Sequence, residues 1–141
     1  MAARVGIILV SHGPLAEALR DTVKTLEPDE TDDVFALSLA WDEAPENASV
    51  RLEKAITAAD SGAGVVILTD MFGGTPSNLA LAFLEPGRIE IVSGVNLPMM
   101  VKARELARLG KSSREIAHLL VERGRRAIVA AAELIEGGKT R

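Results

Sequence analysis

The chain contains no cysteine. That excludes a disulfide scaffold, thiolate-ligated zinc, iron–sulfur clusters and thiol catalysis. Aromatic residues make up only 3% of it, namely Phe35, Phe72, Phe83 and Trp41, so any core is aliphatic. Two histidines, His12 and His118, are too few for a histidine-rich metal site. The longest unbroken apolar run is about six residues, far short of the roughly 20 that span a bilayer. Met1-Ala2-Ala3-Arg4 leads straight into a strand-like run with no signal-peptide pattern. A cytoplasmic location with no direct membrane insertion is the expectation. The net charge of −4 argues against nucleic-acid binding.

What is present suffices for one compact unit. Apolar residues are 48% and charged residues 26% of the chain. A length of 141 residues fits one domain, so residues 1–141 are expected to form a single domain. Charge is uneven along the chain. Residues 1–96 carry −9, and residues 97–141 carry +5. The basic last third reads either as solvated helix faces or as a surface for an acidic partner.

Val5 to Val10 is a short, mostly β-branched run followed by Gly13-Pro14, which reads as a strand buried on both faces. Leu15, Ala18, Leu19, Thr22, Val23 and Leu26 then recur at helical spacing, up to Pro28. Glu27 and Asp29-Glu30-Thr31-Asp32-Asp33 gather carboxylates as a calcium loop would. They lack the EF-hand glycine and terminal glutamate, so a solvated loop is expected and no metal. A second strand spans Val34 to Leu39. A second helix starts near Pro45, with Ala48, Leu52, Ala55, Ile56 and Ala59 as its stripe. Val65 to Leu68 is a third strand, and a short helix runs from Pro76 to Phe83. Ile89 to Val92 is a fourth strand, followed by a helix from Leu97 to Leu109. Ser112 and Glu115 form a capping box for a last helix. Its stripe is Ile116, Leu119, Leu120, Ala127, Ile128, Ala131 and Leu134, with Gly124 a weak point.

Continuous apolar strands alternating with helices predict an α/β fold with helices on both faces. The expected core is a four-stranded parallel sheet in the order 2-1-3-4, with room for an antiparallel edge strand. Ligands of such sheets bind outside the carboxyl ends of the strands. The unusual residues collect there: Ser11-His12-Gly13-Pro14, Trp41-Asp42, Thr69 to Asn78, and Ser93 to Pro98. His12 reads as a functional imidazole at this edge, or as a cap on the first helix. Asp70 reads as its orienting carboxylate, or as a loop cap. Gly73-Gly74-Thr75-Pro76 lets bare backbone approach an anion, with Thr75 expected at the N-cap and Pro76 at N1. Ser11 could be read as a nucleophile, but adjacent strand residues point to opposite sides. His118 lies mid-helix and reads as a helix-surface residue. No dinucleotide fingerprint, Walker lysine or Gly-x-Ser-x-Gly elbow is found.

Leu9 to Glu17 resembles the active-site strand and turn of the mannose family of enzyme IIA components, from the bacterial phosphoenolpyruvate-dependent sugar phosphotransferase system (PTS). Thr69 to Asn78 resembles that family's second motif, and Val92 to Met99 its third. The three span most of the chain in the family's order. The resemblance implies a phosphotransferase component that carries a phosphoryl group on His12, at Nε2, with Asp70 orienting the ring. It implies that Gly73, Gly74 and Thr75 bind the phosphoryl group, with no cofactor and no metal. The implied partners are the histidine-containing phosphocarrier protein as donor and a IIB component as acceptor, with the chain a homodimer. Met71, Phe72 and Met99 are expected to meet the partners, because they sit on or beside strand-end loops; Leu97 and Met100 are further candidates.

Two other readings share parts of this pattern. A regulatory PTS module that senses phosphorylation state without sugar transport would have the same site. A sirohydrochlorin-type chelatase also places His-Gly after the first strand, but needs a second strand-end histidine. Histidine phosphatases need Arg-His-Gly and a second histidine, and Ser11 stands before His12 instead.

Overall fold

The computed structural model describes residues 3–28 and 34–140, with the backbone alone for 138–140. The acidic stretch 29–33 lies outside the described residues. Four strands form one sheet: β1 (Gly6–His12), β2 (Val34–Leu39), β3 (Val65–Thr69) and β4 (Ile89–Ser93). All pairings are parallel, in the order β2-β1-β3-β4. Between and after them come α1 (Leu15–Leu26), α2 (Pro45–Ala59), α3 (Thr75–Leu81), α4 (Leu97–Arg108), α5 (Ser113–Arg126) and α6 (Ala131–Thr140).

Side chains alternate across the pleat, and this divides the core in two. Ile7 and Leu9 of β1 join Val66 and Leu68 of β3 under α1, α4 and α5. Ile8 and Val10 join Val65 and Ile67 under α2 and α3. Every apolar residue of β1 and β3 is thus used, as strands buried on both faces require. Full burial of one such Ile, Leu or Val stabilises the fold by roughly 1.5–3 kcal/mol. The stripe of α2 is buried as expected, from Ala48 through Ala59. Among the described residues, no helix is long and apolar enough to cross a membrane.

The structure corrects several expectations. In α1 the buried residues are Ala16 and Val23, with Leu19 half-buried, while Leu15, Ala18, Thr22 and Leu26 are exposed. The stripe is rotated because the Ser11 hydroxyl accepts the Ala16 N–H at 2.7 Å and turns that residue inward. The long last helix is two. Ser112 Oγ does accept from the Glu115 N–H at 3.2 Å, but α5 ends at Arg126 and Ala127 closes it with tightened bonds. The β-branched pair Ile128-Val129 favours helix poorly, and it lies beyond the helix wall that covers the sheet. Ile128, Val129, Leu134 and Ile135 are exposed, so they form no part of this chain's core. Near β4 the only antiparallel pairing among the described residues is an isolated bridge, Glu85 with Ile89, rather than an edge strand.

Gly124 is not a weak point of α5. A Cβ there would lie 2.5 Å from Met99 Sδ. The missing side chain lets α4 and α5 approach closely, and Asn96 Nδ2 donates to the Gly124 carbonyl at 3.2 Å.

Candidate active site around His12 and Asp70

The strand order reverses between β1 and β3, and in parallel α/β sheets such a reversal opens a crevice at the carboxyl edge. His12 ends β1, and Asp70 follows β3 directly. Asp70 Oδ2 lies 2.8 Å from His12 Nδ1 and accepts the His12 backbone N–H at the same distance. Its other oxygen accepts the Met71 N–H at 2.9 Å. An ionised carboxylate only accepts, so Nδ1 carries a proton, and in the neutral imidazole Nε2 presents its lone pair. Burial pushes the Asp70 carboxyl up, but the bonds from the His12 N–H, its ring and the Met71 N–H outweigh burial. The group is held below the ordinary carboxylate value. Asp70 thus also takes a loop-capping bond. The capping role considered for His12 belongs to Ser11, which is buried and donates to the Gly13 carbonyl at 3.2 Å.

The turn after β3 reaches the imidazole through Gly74. A Cβ at this residue would lie 2.6 Å from His12 Cε1 and 3.1 Å from Nε2, so only glycine leaves the ring its place. Gly73 has φ +93°, and its N–H donates to Ser77 Oγ at 2.8 Å; that hydroxyl donates in turn to the Gly74 carbonyl at 3.1 Å. Gly74, not Thr75, is the N-cap of α3; Thr75 and Pro76 occupy its first turn. Thr75 faces the site all the same. With Pro76 it lines one side of a cavity of about 180 Å³ beside His12, whose other walls include Leu39, Trp41, Glu43, Pro45 and Ala48.

Of the residues expected to meet partners, Met71 and Phe72 are 56% and 73% exposed. Met99 is corrected: it is 2% exposed and packed against Gly124, so it belongs to the core, as does Met100. Asn96 Oδ1 accepts the Met99 N–H at 3.1 Å, capping α4 and drawing that turn inward. Leu97 is half-buried against the same core. The third motif braces the edge of the sheet, with the Gly94 and Val95 N–H groups both on the Thr69 carbonyl at 3.0 Å. His118 is exposed on α5 beside Glu122, 3.6 Å away. The second strand-end histidine of a chelatase is therefore missing. Among the described residues, no group of three His, Asp or Glu side chains could hold a metal ion.

The sequence shows Trp41 only as a residue that follows the second strand. Its ring stacks on His12, with centroids 5.9 Å apart and planes inclined by 25°. Its position at a strand end was the available signal, but which neighbour it meets depends on the pairing of β1 with β2.

A family model described as PTS system fructose IIA component matches residues 6–121. The chain belongs to the mannose family of PTS enzyme IIA components. It is 31% identical over 132 residues to the PTS system mannose-specific EIIAB component of Escherichia coli (strain K12), a match covering 89% of this chain and 39% of that protein. It is 27% identical over 103 residues to the PTS system fructose-specific EIIA component of Bacillus subtilis (strain 168), covering 72% of this chain and 70% of that one. The PTS IIA protein associated with the fucose utilization operon from Streptococcus pneumoniae superimposes with a TM-score of 0.81 at 27% identity, over 96% of this chain and 99% of that one. The chain spans well under half the length of the mannose-specific relatives it matches.

Proposed function

We propose that the chain is a phosphoryl carrier. It accepts a phosphoryl group on His12 Nε2 from the histidine-containing phosphocarrier protein and passes it to a IIB component in sugar uptake. The observation that carries this reading is the 2.8 Å contact between Asp70 Oδ2 and His12 Nδ1. It leaves Nε2 as the nucleophilic nitrogen and aims it toward the Gly73–Gly74–Thr75 turn.

In the forward step the Nε2 lone pair attacks phosphorus, and the donor histidine nitrogen departs with the bonding pair. Nδ1 keeps its proton, and Asp70 compensates the positive charge that develops on the ring. The Gly74 N–H and the Thr75 hydroxyl hold the phosphoryl oxygens, while Gly73, whose N–H donates to Ser77 Oγ, shapes the turn that presents them. Transfer to the acceptor runs the same step in reverse. Such exchange depends on close in-line approach of two proteins. Exposed Met71 and Phe72 supply an apolar surface for it beside His12, and methionine adapts to more than one partner.

Cytoplasmic location and a homodimer belong to the same reading. The dimer is supported by the exposed apolar residues Ile128, Val129, Leu134 and Ile135, which this chain leaves uncovered. The test is incubation of the protein with phosphoenolpyruvate, enzyme I and the phosphocarrier protein, followed by mapping of the modified residue. One phosphoryl group on His12 is expected. Label elsewhere, or none with active donor proteins, overturns the proposal.

A further inference from the structure

Trp41 is 80% exposed, an unusual setting for a large aromatic side chain. It is also the chain's single tryptophan. Its place is determined from two sides. Beneath it, Gly13 at φ +53° leaves so little room that a Cβ would sit 3.0 Å from Trp41 Cζ2. Behind it, the loop after β2 is closed by Glu43, whose N–H donates to the Ala40 carbonyl at 3.1 Å and whose carboxylate accepts the Ala40 N–H at 3.3 Å. That carboxylate is held in turn by Arg51 Nη1 at 2.6 and 2.8 Å and by Asn47 Nδ2 at 2.9 Å. These bonds fix the loop backbone around Trp41, and the ring that the exposed indole stacks on is His12. β2 and β3 lie on opposite sides of β1, so Trp41 reaches His12 from one side and Gly74 from the other.

Resting on the phosphohistidine reading above, we propose that Trp41 is a positioning residue. It holds the His12 imidazole in plane for transfer, and it screens a phosphoryl group on Nε2 from water. The cavity beside His12 is lined by Trp41 and Leu39 together with Thr75 and Pro76, so the indole forms part of the wall around a group seated there. The reaction it retards is hydrolysis. A water oxygen attacks phosphorus, the P–N bond breaks, and its electron pair stays on Nε2. One water proton goes to that nitrogen, and inorganic phosphate leaves. Water-free seating matters to a carrier, which must keep its group until the acceptor docks.

The test loads the protein without any partner. Phosphoramidate phosphorylates imidazole nitrogen directly: Nε2 attacks phosphorus, the donor P–N bond breaks, and ammonia leaves. Wild type, Trp41→Ala and Trp41→Phe are loaded, and loss of the phosphoryl group is followed by mass spectrometry at constant pH. We expect Trp41→Ala to lose it several-fold faster than wild type and Trp41→Phe to stay close to wild type. The emission of Trp41 should change when His12 is loaded and return as the group is lost, with no such change in His12→Ala. Equal lifetimes in all three proteins, or an emission that ignores loading, overturn the role of Trp41 while leaving the carrier reading intact. A wild-type protein that takes no phosphoryl group on His12 overturns both. The emission experiment stands even if Trp41→Ala fails to fold.

Discussion

One oxygen of Asp70 serves His12 twice: Oδ2 accepts from the backbone N–H and meets Nδ1, each at 2.8 Å. The same carboxylate therefore holds both the chain that delivers the ring and the ring itself. Asp70→Asn keeps an acceptor of the same shape but removes the charge that compensates a developing imidazolium. Phosphoryl transfer should slow on the order of 10²-fold or more, with the fold unchanged by circular dichroism. Rapid-quench transfer from the phosphocarrier protein measures it, and a rate within twofold of wild type would show that the carboxylate has no part in transfer. Asp70→Ala should also destabilise the protein, by about 1–3 kcal/mol, because the His12 N–H loses its partner.

His12→Ala should abolish phosphoryl acceptance while leaving the melting temperature within a few degrees of wild type, since the ring sits at the rim of the site. His118→Ala removes an exposed side chain on α5 and should accept phosphoryl at the wild-type rate. Radiolabel transferred from phosphoenolpyruvate distinguishes the two. Label on the His12→Ala protein would refute the assignment.

Phe72 is exposed beside the Gly73–Gly74 turn. Phe72→Ala should raise the apparent KM for the phosphocarrier protein several-fold with little change in kcat, the mark of lost docking surface. The His12 ring resonances should not move. A KM equal to that of wild type would place the docking face elsewhere.

Gly124 and Met99 should behave as one unit. Gly124→Ala improves helix propensity by about 1 kcal/mol, yet its Cβ would crowd Met99 Sδ at 2.5 Å and Cγ at 3.0 Å. Overpacking costs about 1–3 kcal/mol, so net destabilisation of up to about 2 kcal/mol is expected in urea unfolding. Met99→Ala alone should cost about 2–5 kcal/mol. The double variant should cost less than the two added together, because the crowded atoms are gone. Strict additivity would mean that the two side chains do not compete for this space.

Among the described residues, three carboxylates held below their ordinary values favour the folded state against acid. Asp60 is held low chiefly by the Gly62 N–H, against burial that pushes it up, with the Gly64 N–H and Arg88 adding to the effect. Glu43 is held low first by Arg51, and Asp70 is low despite its burial. A folded-state value below the unfolded one means that these groups stabilise the protein above their ordinary values of 3.8 to 4.5. That contribution is lost as pH falls through the lower folded-state values. Urea midpoints measured from pH 6 to pH 2 should therefore fall steeply below about pH 4. Asp60→Asn should flatten that fall and lower the midpoint at pH 6. An unchanged slope would remove Asp60 from the account.

Much of the architecture was legible in the sequence because it rests on local rules. Val5 to Val10 and Val65 to Leu68 are apolar without alternation, which only a strand covered on both faces tolerates. Pro45 and the α2 stripe gave the helix its start and its buried side. Parallel strands joined by helices deliver their last residues to one edge, so the placing of His12 and Asp70 followed from their positions in the chain. What remained hidden depends on which distant segments meet. Leu15 and Leu26 match a helical stripe, but the Ser11 hydroxyl determines which side of α1 turns inward. Met99 looks like a surface residue beside a strand-end loop until Gly124 opens a space for it in the core.

Local periodicity and turn chemistry thus determined the order of elements, the parallel sheet and the edge at which His12 and Asp70 meet. The tertiary structure alone decided that Nδ1 rather than Nε2 faces the carboxylate, that Trp41 lies on the imidazole, and that the last helical stretch breaks after Arg126. These are contacts between residues far apart in the chain. Their geometry depends on strand register and helix approach, which no window of sequence contains.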